Sequence, residues 1–232
     1  MMKNNFFAGD FTKLKNHWSD LSRAEKFLRG GTRAEVVNKV IEINLNLLMN
    51  SNWLDLGTGA GYIQSVINQK HGHLPNQLGL DWSFAMLSIN EVSLHKIQGT
   101  YENIPIRKAS INLITFFFTL SDYPSLESIL ENAGNKLDQS GSLIIVDYSI
   151  GDEYWETRNK YHNQIGNDNN KIIGNINLRD IHYFQKILPT NLLTEQSKII
   201  RYEVRSIEMQ SNFELPEKIT RCFFYLKLKK TT

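Results

Sequence analysis

The apolar positions change period twice along the chain. Over the first 50 residues they recur at helical spacing: Val36, Val37, Val40, Ile41, Ile43 and Leu47 make one face of a helix following Gly30-Gly31-Thr32, and Ser19-Asp20-Leu21-Ser22 can cap an earlier one. From Asn52 the runs become short and bounded by turn residues. Strands are predicted at Asn52–Leu56, Leu78–Asp81, His95–Gly99, Asn112–Phe118 and Ser142–Val146, the last entered through Ser140-Gly141. Between them Tyr62–Gln69, Ser83–Asn90 and Leu126–Leu137 read as helices. Beyond Ser149 the alternation stops. Gly151–Gly174 is aromatic, polar and rich in Asn, suiting an inserted helical lid, and Leu178–Leu188 is a helix stopped by Pro189. Two last β-type runs, Lys198–Met209 and Ile219–Leu228, can pair antiparallel at a sheet edge.

Strands alternating with helices imply a parallel sheet covered on both faces, and the right-handed crossover rule leaves few ways to connect it. The expected fold is therefore α/β: a doubly wound, Rossmann-like, seven-stranded sheet with an antiparallel C-terminal edge, N-terminal helices and an inserted lid. A single domain, 1–232, divides into a helical cap at 1–50, a core at 51–149, a lid at 150–190 and C-terminal strands at 191–232. No linker asks for a second domain.

Composition changes this picture little. At 232 residues, 41% hydrophobic and 22% charged, the chain matches soluble globular proteins rather than disordered ones. The single cysteine, Cys222, excludes an internal disulfide framework and any multi-cysteine metal site. The N-terminus carries no apolar stretch of signal-peptide length, and Ile111–Leu120 is about half the roughly 20 residues that span a bilayer. A cytoplasmic protein without a membrane span is expected. The 26 basic residues against 24 acidic ones leave a net charge of +2, too small to imply nucleic acid.

The chemistry concentrates in Asp55-Leu56-Gly57-Thr58-Gly59-Ala60-Gly61-Tyr62, together with Leu80-Asp81-Trp82. A glycine turn between a strand and a helix lets backbone approach a ligand while the helix N-terminus offers free amides. An acid ending the next strand can accept both hydroxyls of a ribose. The dinucleotide fingerprint G-x-G-x-x-G/A would place Gly or Ala where Tyr62 stands, so the G-x-G-x-G spacing points elsewhere.

On these residues the chain resembles the class I S-adenosylmethionine (SAM)-dependent methyltransferases, the small-molecule type similar to those of quinone biosynthesis. Gly99-Thr100-Tyr101-Glu102-Asn103-Ile104-Pro105 resembles the family's G-D-A-E-x-L-P segment, and Leu137-Asp138-Gln139-Ser140-Gly141 its L-x-P-G-G turn. The family's acids are replaced by Thr100 and Asn112. The resemblance, over about residues 50–148, implies SAM as cofactor, with Asp55, Gly57, Thr58, Gly59 and Gly61 at its methionine part and Asp81 at its ribose. It places Trp82, Tyr101 and Glu102 near the adenine and Phe118 at the end of the fourth strand.

In open α/β sheets ligands lie beyond the carboxyl ends of the strands, here Phe118–Tyr123 and Asp147–Ser149. Asp122, Tyr148 and the lid's His162 are the candidate catalytic residues, with His162 or Asp122 able to take a proton. Tyr154, Trp155 and Tyr161 are candidates to pack a small acceptor. Whether oxygen, nitrogen or carbon is methylated stays open, as does the oligomeric state. A metal is not expected: His71-Gly72-His73 lacks a third ligand. Eight Lys or Arg against four acids in the first 40 residues suggest either a solvated helix face or an RNA-binding patch. The resemblance, in which N-terminal helices close over the cofactor, implies that Arg23 or Arg29 reaches its carboxylate. The alternatives to a small-molecule methyltransferase are therefore an RNA or tRNA methyltransferase, and a SAM-binding protein with other chemistry or a non-catalytic subunit.

Overall fold

Four consecutive buried residues, Trp53–Leu56, form β1 in the middle of the sheet, with β2 (Gln77–Asp81) on one side and β4 (Ile111–Phe117) on the other. The computed structural model describes residues 18–20, 31–74, 76–92, 94–165, 176–206 and 213–231, and only the backbone of 162–165. The remaining strands are β3 (His95–Gln98), β5 (Leu137–Tyr148), β6 (Leu192–Arg205) and β7 (Lys218–Lys230). Their order across the sheet is β3-β2-β1-β4-β5-β7-β6. The first five are parallel, and β7 runs antiparallel between β5 and β6. The order reverses at β1/β4, which opens a crevice at the carboxyl ends of those strands.

Alternate strand residues face two apolar layers. Leu54, Leu56, Ile114 and Phe116 join Ile129, Leu130 and Ala133 of α4 (Glu127–Lys136) and Phe184 of α6 (Ile181–Ile187); α1 and α2 cover the other face. There Trp53, Leu113, Ile144 and Val146 meet Val36, Val37, Val40 and Ile41 of α1 (Ala34–Met49) and Ile63 and Ile67 of α2 (Tyr62–His71). Each such fully buried side chain contributes about 1.5–3 kcal/mol relative to exposure. A short α3 (Phe84–Ile89) is capped by Ser83, whose Oγ accepts the Met86 N–H at 3.2 Å. No helix among the described residues is long and apolar enough to cross a membrane.

Several expected boundaries move. β5 begins at Leu137, not Ser142, because Gln139-Ser140-Gly141 lies in a bulge of the strand where Ile111 pairs with Leu137 and Leu113 with Ser142. β6 starts at Leu192, six residues before the expected run. As the edge strand it is largely exposed there, so apolar alternation could not reveal it. The helix expected from Leu178 starts at Ile181, because Asp180 caps it by accepting the Tyr183 N–H at 2.8 Å. The lid carries a helix, α5 (Glu153–Ile165), entered through Gly151 at φ +90°. The helix expected after Ser19-Asp20, residues 166–175 of the lid, and 207–209 of the tail lie outside the described residues.

Candidate functional site

The turn from β1 to α2 is built of left-handed glycines. Gly57, Gly59 and Gly61 have φ of +81°, +53° and +82°, where a Cβ costs about 1–2 kcal/mol. Behind the turn space is full: a Cβ on Gly57 would stand 2.3 Å from both the Thr119 methyl and the Tyr101 hydroxyl, and one on Gly61 2.4 Å from the Asn90 side chain. Beside Gly59 space is open, with the nearest atom to a Cβ being the Gly57 carbonyl oxygen at 4.0 Å. The turn is tied to β2: Gly57 and Thr58 donate their N–H groups to the Leu80 carbonyl at 2.7 and 3.1 Å, and Gly59 donates to Asp81 Oδ2 at 2.9 Å.

The Asp81 carboxyl also accepts the Ser83 N–H at 2.8 Å and is buried, which pushes its pKa up to about 6 against the lowering effect of those bonds. Asp55 is buried one strand away. Its oxygens accept from Thr115 Oγ1 at 2.5 Å and Gln64 Nε2 at 2.7 Å, and Thr115 in turn accepts the Trp53 indole N–H at 2.8 Å. Burial raises the Asp55 pKa as well. This network joins β1, β4 and α2, fixing the angle at which the helix N-terminus leaves the turn.

One cleft spans these residues, with about 840 Å³ of empty space that includes open solvent. Asp55, Gly57, Thr58, Gly59, Asp81, Trp82, Tyr101 and Phe118 all line it, whereas Gly61 lies behind the turn and Glu102 is exposed outside the wall. Tyr101 forms part of the floor, edge-on to Phe116 at 5.5 Å and near Thr119. Phe118, the residue after β4, lies in the left-handed region at φ +58°, unusual for a large side chain. Packing over-determines that conformation: its N–H donates to the Val146 carbonyl at 2.8 Å, and its ring meets Tyr148 at 5.4 Å and Phe223 at 5.8 Å. The Arg33 guanidinium stands over that ring at 5.3 Å.

A profile of the methyltransferase domain family matches residues 54–145. A search among curated protein sequences returns no match. Among solved structures, a Bacillus halodurans protein provisionally assigned as a methyltransferase aligns at TM-score 0.63 and 14% identity, covering 84% of this chain and 99% of that one. A Thermotoga maritima SAM-dependent methyltransferase, described as a possible histamine N-methyltransferase, aligns at 0.63 and 13%, covering 95% and 99%. Geranyl diphosphate C-methyltransferase from Streptomyces coelicolor, solved with S-adenosylhomocysteine, aligns at 0.55 and 10%, covering 84% and 80%. Residues 54–145 thus carry the sequence pattern of a methyltransferase domain, and the chain shares the fold of solved SAM-dependent methyltransferases.

The cleft fits SAM on two observations of its own. A side chain at Gly59 is missing where one would enter the cleft, and the Asp81 carboxyl keeps acceptor capacity beyond its backbone donors Gly59, Ser83 and Trp82. Asp122 also lines the cleft, half-buried. Burial and the negative Asp147 push its pKa up to about 6, while the Trp18 side chain hydrogen-bonds it and Arg158 lies close enough to oppose the rise.

The other candidates sit elsewhere. Tyr148 is buried one layer behind Phe118, with Trp155 at 5.1 Å, and does not line the cleft. Tyr154, Trp155 and Tyr161 pack α5 by their rings, Tyr154 and Tyr161 both against Phe213. His162 is on α5, and its side chain lies outside the described residues, as do Arg23 and Arg29. His71 and His73 are exposed at and beyond the end of α2.

Sequence reasoning missed Arg33, Trp18 and Tyr62 in the cleft wall and Arg158 beside Asp122, while Thr119 falls in the expected Phe118–Tyr123 segment. Only Arg158 had a usable signal, three residues after Trp155 on one helical face. The departures from the family pattern fall away from the cleft wall. Asn112 links the opposite ends of the strands, accepting from the Asn52 N–H at 3.2 Å and donating to Asp138, and Thr100 forms a tight turn with Asn103.

Proposed function

We propose that this chain is a SAM-dependent methyltransferase that acts on a small-molecule acceptor, with the Gly57–Gly61 turn and Asp81 holding SAM and Asp122 facing the acceptor. The observation that carries the cofactor part is the Gly59–Asp81 hydrogen bond, which brings the glycine turn and the acid of the next strand onto one wall of the cleft. Asp81 would accept the ribose hydroxyls, Trp82 and Met86 would pack the base, and Asp55 would face the amino end from beneath the turn. Arg33, which lines the cleft, would meet the carboxylate. SAM supplies an electrophilic methyl group when bound.

The remaining work belongs to the chain. Trp18, Tyr62, Phe117 and Phe118 keep water from the cleft, and the acceptor is oriented between Phe118 and Asp122. A carboxyl pushed up to about 6 is still ionised at neutral pH and is a stronger base than an ordinary aspartate, which suits it to take the acceptor's proton. The names of two structural relatives, a possible histamine N-methyltransferase and a geranyl diphosphate C-methyltransferase, favour small acceptors. Of the eight N-terminal cations, two lie among the described residues: Arg33, in the cleft wall, and Lys39, paired with Glu35 at 2.6 Å.

Calorimetry with SAM and S-adenosylhomocysteine tests the cofactor site, with binding expected in the micromolar range, roughly −8 kcal/mol. A metabolite screen with methyl-labelled SAM tests the acceptor. Transfer of label to RNA alone would defeat the small-molecule reading.

A further inference from the structure

Leu120–Tyr123 carries Asp122 to the cleft, and its backbone is held from both sides by buried side chains. From β5, Asp147 Oδ2 accepts the N–H groups of Leu120 at 2.9 Å and Ser121 at 3.0 Å. From the segment after the lid, Asn177 donates its backbone N–H at 2.8 Å and its side-chain amide at 3.0 Å to the Ser121 carbonyl. Arg179 donates Nη1 to the Leu120 carbonyl at 3.1 Å and Nη2 to the Tyr123 carbonyl. Asp147 and Arg179 are 2% and 6% exposed, and neither lines the cleft.

Leu120, Ser121 and Tyr123 are buried, so their backbone groups need partners within the protein. Here two of those partners are buried charged side chains, which cost more desolvation than neutral ones. What the arrangement fixes is the residue at its middle. Asp122 makes none of these bonds itself, and its side chain is left to the cleft.

We propose that Asp147 and Arg179 are positioning residues for Asp122, clamping the backbone on either side of it so that its carboxyl stays in the cleft, and joining that position to the segment that follows the lid. The proposal rests on the reading that Asp122 faces the acceptor. The charged and polar groups around the Asp122 carboxyl are Asp147 from β5, Arg158 from α5, the Trp18 side chain and the neighbouring Tyr123, while Arg179 faces Asp147. Asp147 therefore acts on Asp122 twice, through the backbone and through its charge.

The two effects separate by substitution. Asp147→Asn keeps an oxygen for the Leu120 and Ser121 amides and removes the charge, whereas Asp147→Ala removes both. Titration of the free protein labelled with carboxyl-13C aspartate, with Asp122→Asn identifying the signal, reads the Asp122 midpoint without any acceptor. In Asp147→Asn that midpoint should fall by about one pH unit, because a like charge is gone, with slow hydrogen exchange at Leu120 and Ser121 retained. In Asp147→Ala and Arg179→Lys, exchange at those amides should quicken about tenfold, the equivalent of one lost hydrogen bond. S-Adenosylhomocysteine affinity should stay within about threefold in each, a change under 1 kcal/mol.

Exchange at Leu120 and Ser121 that stays as slow in folded Asp147→Ala as in wild type, with the Asp122 midpoint equal to that of Asp147→Asn, overturns the proposal. So does cofactor-product affinity lost in step with melting temperature across the three variants, since the clamp would then serve only the fold. If Asp147→Ala does not fold, the Asn and Lys variants decide. The reading that Asp122 meets the acceptor fails separately, by full methyl transfer in Asp122→Asn.

Discussion

The backbone N–H of Gly59 donates to Asp81 Oδ2 at 2.9 Å, joining a residue of the glycine turn to the acid that ends the neighbouring strand. The bond makes the two motifs one surface. A carboxyl that holds the turn in shape and still offers lone pairs to a ligand has its protonation coupled to binding.

Asp81 is pushed up to about 6, so S-adenosylhomocysteine affinity should be constant above pH 7 and fall as the pH drops through 6, when the carboxyl gains a proton and loses an acceptor. Asp81→Ala should weaken binding by about 1.5–3 kcal/mol and flatten the profile. Calorimetry from pH 5 to 8 reads both. A constant affinity over that range would take Asp81 out of the site.

Gly57→Ala and Gly59→Ala should differ in kind. Both carry left-handed strain, but the first also drives a methyl into the Thr119 and buried Tyr101 side chains, while the second projects it into open space on the cleft wall. Gly57→Ala should lose several degrees of melting temperature, at about 2–4 °C per kcal/mol for a chain of this size. Gly59→Ala should keep most of its stability and lose ligand affinity. Equal affinity losses per degree in the two variants would contradict this.

Asp122 has a folded-state pKa of about 6, above the roughly 3.9 of an unfolded aspartate. Its contribution to stability is therefore full below about pH 4 and lost as the pH rises through 6. Asp122→Asn should be more stable than wild type at pH 7.5, with the advantage gone at pH 4.5, and should transfer methyl groups more slowly. Urea denaturation at both pH values checks the sign, and a variant less stable than wild type at pH 7.5 would contradict it.

Arg221 and Asp152 form a buried pair, Nε to Oδ2 at 2.8 Å, and Asp152 also accepts the Cys222 N–H at 3.0 Å while Arg221 donates Nη1 to Thr32 Oγ1 at 2.6 Å. Asp152→Ala strands the guanidinium and should cost about 3–5 kcal/mol. Because Thr32 precedes Arg33 of the cleft wall, ligand affinity should fall as well. In the Asp152→Asn background, replacing Arg221 by Met should recover part of the stability, since the unpaired charge goes with it.

The alternation of short apolar runs with helical periods determined the sheet: five parallel strands and an antiparallel pair follow from local patterning and the crossover rule. The G-x-G-x-G turn and the acid at 81 were legible for the same reason, since backbone conformation and strand ends are local properties. Three things were not. The β6 boundary is set by pairing with β7 at an exposed edge, where no face is buried to impose alternation. The cleft wall draws Trp18 and Arg33 from segments distant in the chain from its glycine turn, so no spacing could announce them. The roles of Asp147 and Arg179 exist only because β5 and the segment after the lid meet the loop after β4 from opposite sides. Covalent neighbours dictate turns and strands; a clamp is made of hydrogen bonds between residues that only tertiary packing brings within 3 Å.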